Sequence, residues 1–130
     1  MLKYHHTAMA SRNIEETYAA LCAHVPVMPL SDIVYDPEQR ARLQLLDVAG
    51  LVLELVEDGG DGPAAAWLKC GCRLYHVCFE VDHLDEHLDS LTQRGCILVS
   101  PPKPAALFSG LRVAFVMDPA LGLLEFVEKE

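Results

Sequence analysis

Two histidines and two glutamates stand at matching places in two similar stretches of this chain. When Tyr4–Leu21 is set over Leu74–Leu91 without a gap, His6 falls on His76, Ile14 on Leu84, Glu16 on Glu86 and Leu21 on Leu91. Further along, LELVE (Leu53–Glu57) matches LEFVE (Leu124–Glu128), which pairs Glu54 with Glu125. Imidazole nitrogen and carboxylate oxygen together suit Zn, Ni, Co, Mn or Fe and discriminate poorly among them. If the two stretches pack about a pseudo-twofold axis, all four side chains converge on one ion. Such a set leaves positions open for substrate oxygens. The ion then acts as a Lewis acid for an enediolate, formed by removing a proton next to a carbonyl. Glu125, as a ligand carboxylate able to detach, is the candidate base.

The local context of these residues agrees. Glu54 and Glu125 each interrupt an apolar run, LVLELV and GLLEFV. A buried carboxylate is costly there unless paired or bound to a cation. At the N-terminus His5 and His6 compete. The ungapped repeat selects His6, and alternation along a strand sends His5 to the other face. Glu57 and Glu128 repeat as well and are expected to be solvated. His24, His83 and His87 lie on or beside helices and are expected at the surface. Phe79, Phe115, Met9 and Met117, at strand spacing, read as core.

These side chains must be carried by a regular scaffold. Residues 2–10 read as a strand and Asn13 as the cap of a helix carrying Ile14, Tyr18, Leu21 and Cys22. Pro26 and Pro29 end that helix. A short strand at Val34–Tyr35 is followed by the turn-like Asp36–Gln39. Strands at Arg42–Val48 and Leu51–Glu57 are joined by an Ala49–Gly50 turn. Asp58–Pro63 is a linker, and a short helix follows at Ala64–Lys69. The second stretch repeats the scheme. It has a strand at Leu74–Val81, a helix at Asp82–Arg94 closed by Gly95, a strand at Ile97–Val99, a proline-rich segment, and strands at Leu111–Met117 and Leu123–Glu128. The expected fold is α+β, with two tandem β-α-β-β-β modules (about 1–58 and 72–130). Together they form a curved, barrel-like mixed sheet around a central cup, as a single domain over 1–130.

Composition narrows the function. With 52% hydrophobic and 22% charged residues in 130, the chain has the make-up of a folded globular domain. A formal net charge of -9 argues against a nucleic-acid surface. No apolar run is long enough to span a bilayer. The start, MLKYHHTAM, lacks the pattern of a secretory signal, so the expectation is a cytoplasmic protein with a small-molecule substrate. Five cysteines at irregular spacing do not form a disulfide framework.

These residues resemble the vicinal oxygen chelate superfamily of glyoxalases, bleomycin resistance proteins and dioxygenases, and most closely its methylmalonyl-CoA epimerases. The resemblance is carried by YHHTAMAS, Pro37–Gln39, LELVE, AWLKCGCRLYHVCFEVDHLDEHLDSLTQRG, Pro102–Lys103, GLRVAFVMDP and GLLEFVE. It implies paired β-α-β-β-β modules and one divalent metal (Zn, Ni, Co or Mn) on His6, Glu54, His76 and Glu125. It also implies a homodimer and an isomerase or epimerase acting on a small carbonyl or acyl-thioester. Arg42, Gln44 and Arg112 are the candidate substrate-binding residues, the two arginines on strands expected to line the cup. The chain departs from the epimerase pattern where a second acid/base carboxylate is expected, near Leu43 or Gln44; Asp47 is the nearest carboxylate. Glyoxalase-type lyases share the ligand types, and other superfamily members bind small molecules without turnover.

Overall fold

The computed structural model describes residues 2–130. In chain order the elements are β1 (Lys3–Ala10), α1 (Ile14–His24), β2 (Val27–Pro29), β3 (Val34–Asp36), β4 (Ala41–Val48), β5 (Leu51–Asp58), α2 (Pro63–Lys69), β6 (Leu74–Val81), α3 (Leu84–Gln93), β7 (Ile97–Pro104), β8 (Arg112–Asp118) and β9 (Gly122–Glu128). A single 3-10 turn at Ala106–Phe108 precedes β8. The strands form one curved open sheet in the order β2-β4-β5-β1-β6-β9-β8-β7, with β3 also on β4. β1 runs parallel to β5, β6 runs parallel to β9, and β1 and β6 meet antiparallel at the centre. The order is the same read outward from that seam in either direction, so the sequence repeat is a repeat in space.

One face of the sheet is covered by α1 and α3. The Asn13 side chain caps α1 by accepting from Glu16 N at 2.9 Å. Ile14 then packs with Leu46, Leu53 and Leu55, joined by Tyr18 and Leu21. In the second module Leu84 and Leu88 pack with Val81, Ala114, Val116 and Phe126. Each such fully buried aliphatic side chain contributes roughly 1.5–3 kcal/mol by leaving water. Ala49 and Gly50 make the β4–β5 hairpin turn at φ 51° and 96°, the left-handed pair that a two-residue hairpin of this twist needs.

The opposite face is the cup. α2 and the segment at Ala105–Phe108 fold over one part of it. Ala64 of α2 packs on Ala8, Ala10, Ala41, Leu43 and Val56, with Tyr75 and Leu107 against them.

Two elements differ from the sequence reading. The Val27–Pro29 segment, expected only to end α1, is a short edge strand paired to β4. β7 runs on through Pro101, Pro102 and Pro104 instead of stopping at Val99. Proline donates no backbone hydrogen bond, so a strand survives it only at a sheet edge. β7 is such an edge, paired to β8 alone, with register shifts on either side of Ser100.

Candidate metal centre and adjoining cavity

The strand register explains how four residues, far apart in sequence, come together. Glu54 on β5 and His76 on β6 both lie opposite Ala8 of β1. His6 on β1 and Glu125 on β9 both lie opposite Cys78 of β6. The four therefore occupy two adjacent rows of the cup face, each row with a small residue between its two polar ones. Ala8 and Cys78 are themselves equivalent in the repeat. Their small side chains leave room for the longer ones to lean together.

All four are buried, with exposures of 0% for His6, 2% for Glu54, 5% for His76 and 1% for Glu125. One ligand atom from each lies within 4.8 Å of the others. His6 Nε2 and His76 Nε2 both stand 3.0 Å from Glu125 Oε1. His6 Nε2 is 3.6 Å from Glu54 Oε2. Two ligands ~2.1 Å from one ion and at ~90° to each other are ~3.0 Å apart, which matches these spacings. His6 Nε2 supplies the sharper test. It is buried and makes no hydrogen bond, although Glu125 Oε1 is 3.0 Å away. A buried nitrogen without a partner is costly, and a cation among these four groups would satisfy it. The donor set fits a divalent ion.

The charges are divided unevenly. Burial alone would raise the Glu125 carboxyl, but its contacts with His6 and His76 outweigh burial and hold it well below the usual carboxylate range. Burial raises Glu54, and the nearby His6 offsets only part of that. For His6, burial pulls down, while the charge of Glu54 and the contact with Glu125 push it up to a net rise. Burial also pushes the Cys78 thiol well up, so it stays protonated beside the cluster.

Two further residues flank the histidines: His5, which strand alternation sent to the other face, and Tyr75, which the sequence did not single out. On the seam Tyr4 pairs with Phe79 and His6 with Cys78, which leaves His5 as the extra residue of a bulge. Ala8 pairs with His76 and Met9 with Leu74, which leaves Tyr75 extra on the other strand. His5 and Tyr75 are equivalent in the repeat, and bulges re-aim side chains in this way. His5 does not point away as strict alternation predicts. Its Nδ1 lies 2.8 Å from His6 Nδ1, and its ring packs edge-on to Phe108. A ligating His6 Nε2 leaves the proton on Nδ1, which then donates to His5. Tyr75 stands edge-on to His76, ring centroids 4.6 Å apart. The repeat pairs these two positions in sequence, but nothing there announces the bulges.

A cavity of about 290 Å³ adjoins the cluster, lined in part by Val56, Tyr75, Val113, Phe115 and Leu123. Phe115, expected in the core, is a cavity wall and touches the His76 ring, centroids 5.2 Å apart.

The three expected substrate-binding residues do not face the cup. Arg42 pairs with Glu57 across the β4–β5 ladder, on the helix-covered face, and binds Glu15 of α1 and Glu57. Arg112 does the same with Asp85 of α3 and Glu128. Gln44 lies on the Arg42 face and donates to Ser31 O at 3.4 Å. Strand alternation gives the reason: Leu43 opposite Val56 and Leu45 opposite Glu54 take the cup positions. Glu57 and Glu128, expected to be solvated, are accordingly only partly so. Each anchors an arginine, and Glu57 also accepts from Ile14 N at the start of α1. Asp47, on the cup face, spends an oxygen on Gly50 N at the hairpin turn.

A family model for the glyoxalase/bleomycin resistance protein/dioxygenase superfamily matches residues 5–115. Among solved structures, a hypothetical protein from Bacillus halodurans C-125 superposes with a TM-score of 0.82 at 23% identity, covering 99% of this chain and 95% of that one. Methylmalonyl-CoA epimerase from Mycobacterium tuberculosis superposes with a TM-score of 0.76 at 19% identity, over 98% and 87% of the two chains. A substituted methylmalonyl-CoA epimerase from Streptomyces coelicolor, in complex with 2-nitronate-propionyl-CoA, gives 0.74 at 22% identity over 98% and 94%. At these identities the likeness is one of fold. No curated protein matches the sequence.

Proposed function

The chain belongs to the glyoxalase/bleomycin resistance protein/dioxygenase superfamily, and from that premise we propose that it is a metal-dependent isomerase or epimerase acting on a small carbonyl or acyl-thioester substrate. The observation that carries the reading is the convergence of His6, Glu54, His76 and Glu125 beside a cavity, with a buried His6 nitrogen lacking a partner. Epimerase is the finer choice because solved structures of that name share the fold.

A divalent ion (Zn, Ni, Co or Mn) on these four residues supplies Lewis acidity toward substrate oxygens. The chain's own groups do the rest. Tyr75, Phe115 and Leu123 wall the cavity beside the cluster and limit the water that reaches it. A carboxylate of the cluster takes the proton from the carbon next to the carbonyl. Glu125 is the candidate from the sequence. Glu54, equally buried in the cluster, is the other carboxylate placed to act. His5 holds His6 with Nε2 toward the cluster. A homodimer belongs to the same proposal, on the strength of the family. Among the described residues no helix is long and apolar enough to cross a membrane.

One observation favours a second reading, a glyoxalase-type lyase. Leucines occupy the β4 cup positions where a second acid/base carboxylate would stand, and Asp47 is tied to the hairpin turn. A proton lifted and returned by one carboxylate fits an isomerisation better than an inversion, which needs groups on both faces of the carbon.

The test is metal content by elemental mass spectrometry, followed by exchange of substrate α-protons in deuterated water. About one ion per chain, lost in His76→Ala, together with α-proton exchange, supports the reading. Dependence of turnover on glutathione selects the lyase. Ligand binding that is indifferent to metal makes the protein a binding cup and sinks the enzyme reading.

A further inference from the structure

We propose that Tyr75 is the hydrogen-bond donor that recognises the substrate, and that the cavity it lines takes a small carbonyl compound with an apolar substituent and no polyanionic carrier. The inference rests on the metal-dependent reading above and narrows its substrate class.

The case starts from the two bulges. His5 and Tyr75 are equivalent, and each is turned into the cup just before a cluster histidine. His5 spends its ring nitrogen on His6. Tyr75 makes no such bond. Its ring is fixed between His76 and Trp67, with centroids 4.6 Å and 6.4 Å away, and no described residue hydrogen-bonds its hydroxyl. The phenol is half-buried and lines the cavity. An O–H donor held rigid at a cavity wall, with no partner in the protein, is available to a ligand.

The cavity adjoins the cluster on several strands. Val56 lies two residues from Glu54, Tyr75 one from His76 and Leu123 two from Glu125, while Phe115 sits directly opposite Glu125 on β8. Phe115 also touches the His76 ring, so a molecule filling the cavity lies beside the cluster and rests against Val56, Val113, Phe115 and Leu123. That wall is apolar and calls for an apolar substituent.

Charge decides the carrier. Among the described residues lining the cavity Lys103 is the only cation, while Glu38 and Asp58 are carboxylates. The two arginines on the adjoining strands are both engaged on the far face. With one cation against two carboxylates on its wall, the cavity lacks the cluster of cations that a group carrying several phosphates calls for.

The experiment uses the metal-loaded full chain and three probes followed by calorimetry. Acetohydroxamate and benzohydroxamate present two adjacent oxygens and differ in apolar bulk; coenzyme A carries the phosphates. Benzohydroxamate is expected to bind about tenfold tighter than acetohydroxamate, and coenzyme A not measurably. Tyr75→Phe is expected to weaken both hydroxamates about 3–10-fold and leave the affinity for Mn(II) alone unchanged. Leu123→Trp, which narrows the cavity, should remove the preference for benzohydroxamate. Equal hydroxamate affinities in wild type and Tyr75→Phe, or coenzyme A binding as tightly as benzohydroxamate, overturns the inference and leaves the metal-dependent reading intact. A wild type that takes up no metal removes both.

Discussion

Replacing Glu54 by Gln should make the metal-free protein more stable and the metal-treated protein less so, and this reversal of sign is the sharpest test of the cluster. Glu54 is 2% exposed, and its nearest partner, His6 Nε2, is 3.6 Å away. Burial raises its carboxyl, so the charged form is held at a cost above the unfolded pKa of about 4.3. An uncompensated buried polar or charged group costs about 1–3 kcal/mol or more. The amide removes the charge at nearly the same volume. In chelator, at about pH 8, Glu54→Gln should gain on the order of 1–3 kcal/mol. For a domain of this size that is a rise in Tm of roughly 3–10 °C. Metal acts the other way. A ligand at 100 times its Kd stabilises by about 2.7 kcal/mol, provided the unfolded chain does not bind it. Mn(II) suits the test, because five free cysteines bind it less readily than softer ions. Differential scanning calorimetry with and without Mn(II) should therefore show the two proteins exchanging rank. If Glu54→Gln is the less stable in chelator, and Mn(II) shifts both proteins equally, the four residues are a hydrogen-bonded polar core and the reasoning fails.

Three further outcomes are expected. His5→Phe keeps the ring and removes the nitrogen beside His6 Nδ1; metal affinity measured by competition with a fluorescent chelator should drop 10–100-fold, the usual cost of losing such support. Arg42→Met unties Glu15 from Glu57 on the helix face; with Arg42 partly exposed, denaturant unfolding should show a loss of about 1 kcal/mol, and metal and hydroxamate binding should be unchanged, whereas a loss of ligand binding would return Arg42 to the cup. For metal-free protein the pH dependence has two limbs. Glu125 is depressed, so its contribution is present above about pH 4.3 and lost as pH falls through its folded value. His6 is raised from 6.5, so its contribution is full below that value and lost as pH rises through the folded one. His5 and His87 are depressed by burial and act in the opposite direction, so the comparison is with His6→Asn: relative to that variant, thermal midpoints of the wild type in chelator should decline as pH rises above about 6.5, and parallel profiles would contradict the charged His6 assumed for the metal-free state.

The legible part of this molecule was the part written twice. The equivalence of His6 with His76 and of Glu54 with Glu125 selected the four residues that the structure gathers, because tandem modules place equivalent residues at equivalent distances from a central seam. The capped helix at Asn13 and the Ala49–Gly50 turn were likewise local features with local causes. What was not legible depends on pairing between distant strands. Whether Arg42 or Leu43 faces the cup is a matter of phase along β4, and the two readings differ by one residue. The seam bulges that turn His5 and Tyr75 inward exist only where β1 meets β6. The extension of β7 through three prolines depends on its being an outer strand, which only the assembled sheet decides.

The seam has a property that bears on how such a chain tolerates insertions. Each of its strands carries one surplus residue, His5 on β1 and Tyr75 on β6, on either side of the window in which His6, Thr7 and Ala8 face Cys78, Val77 and His76. The two offsets cancel, so the outer pairs Lys3 with Glu80 and Met9 with Leu74 keep a common phase. Losing one surplus residue would leave the strands out of step along half the seam and turn a row of side chains over. Losing both would restore the phase and leave a flush ladder without the two inward side chains. The modules are therefore coupled at the level of chain length: a deletion beside one histidine is compensated by a matching deletion beside the other.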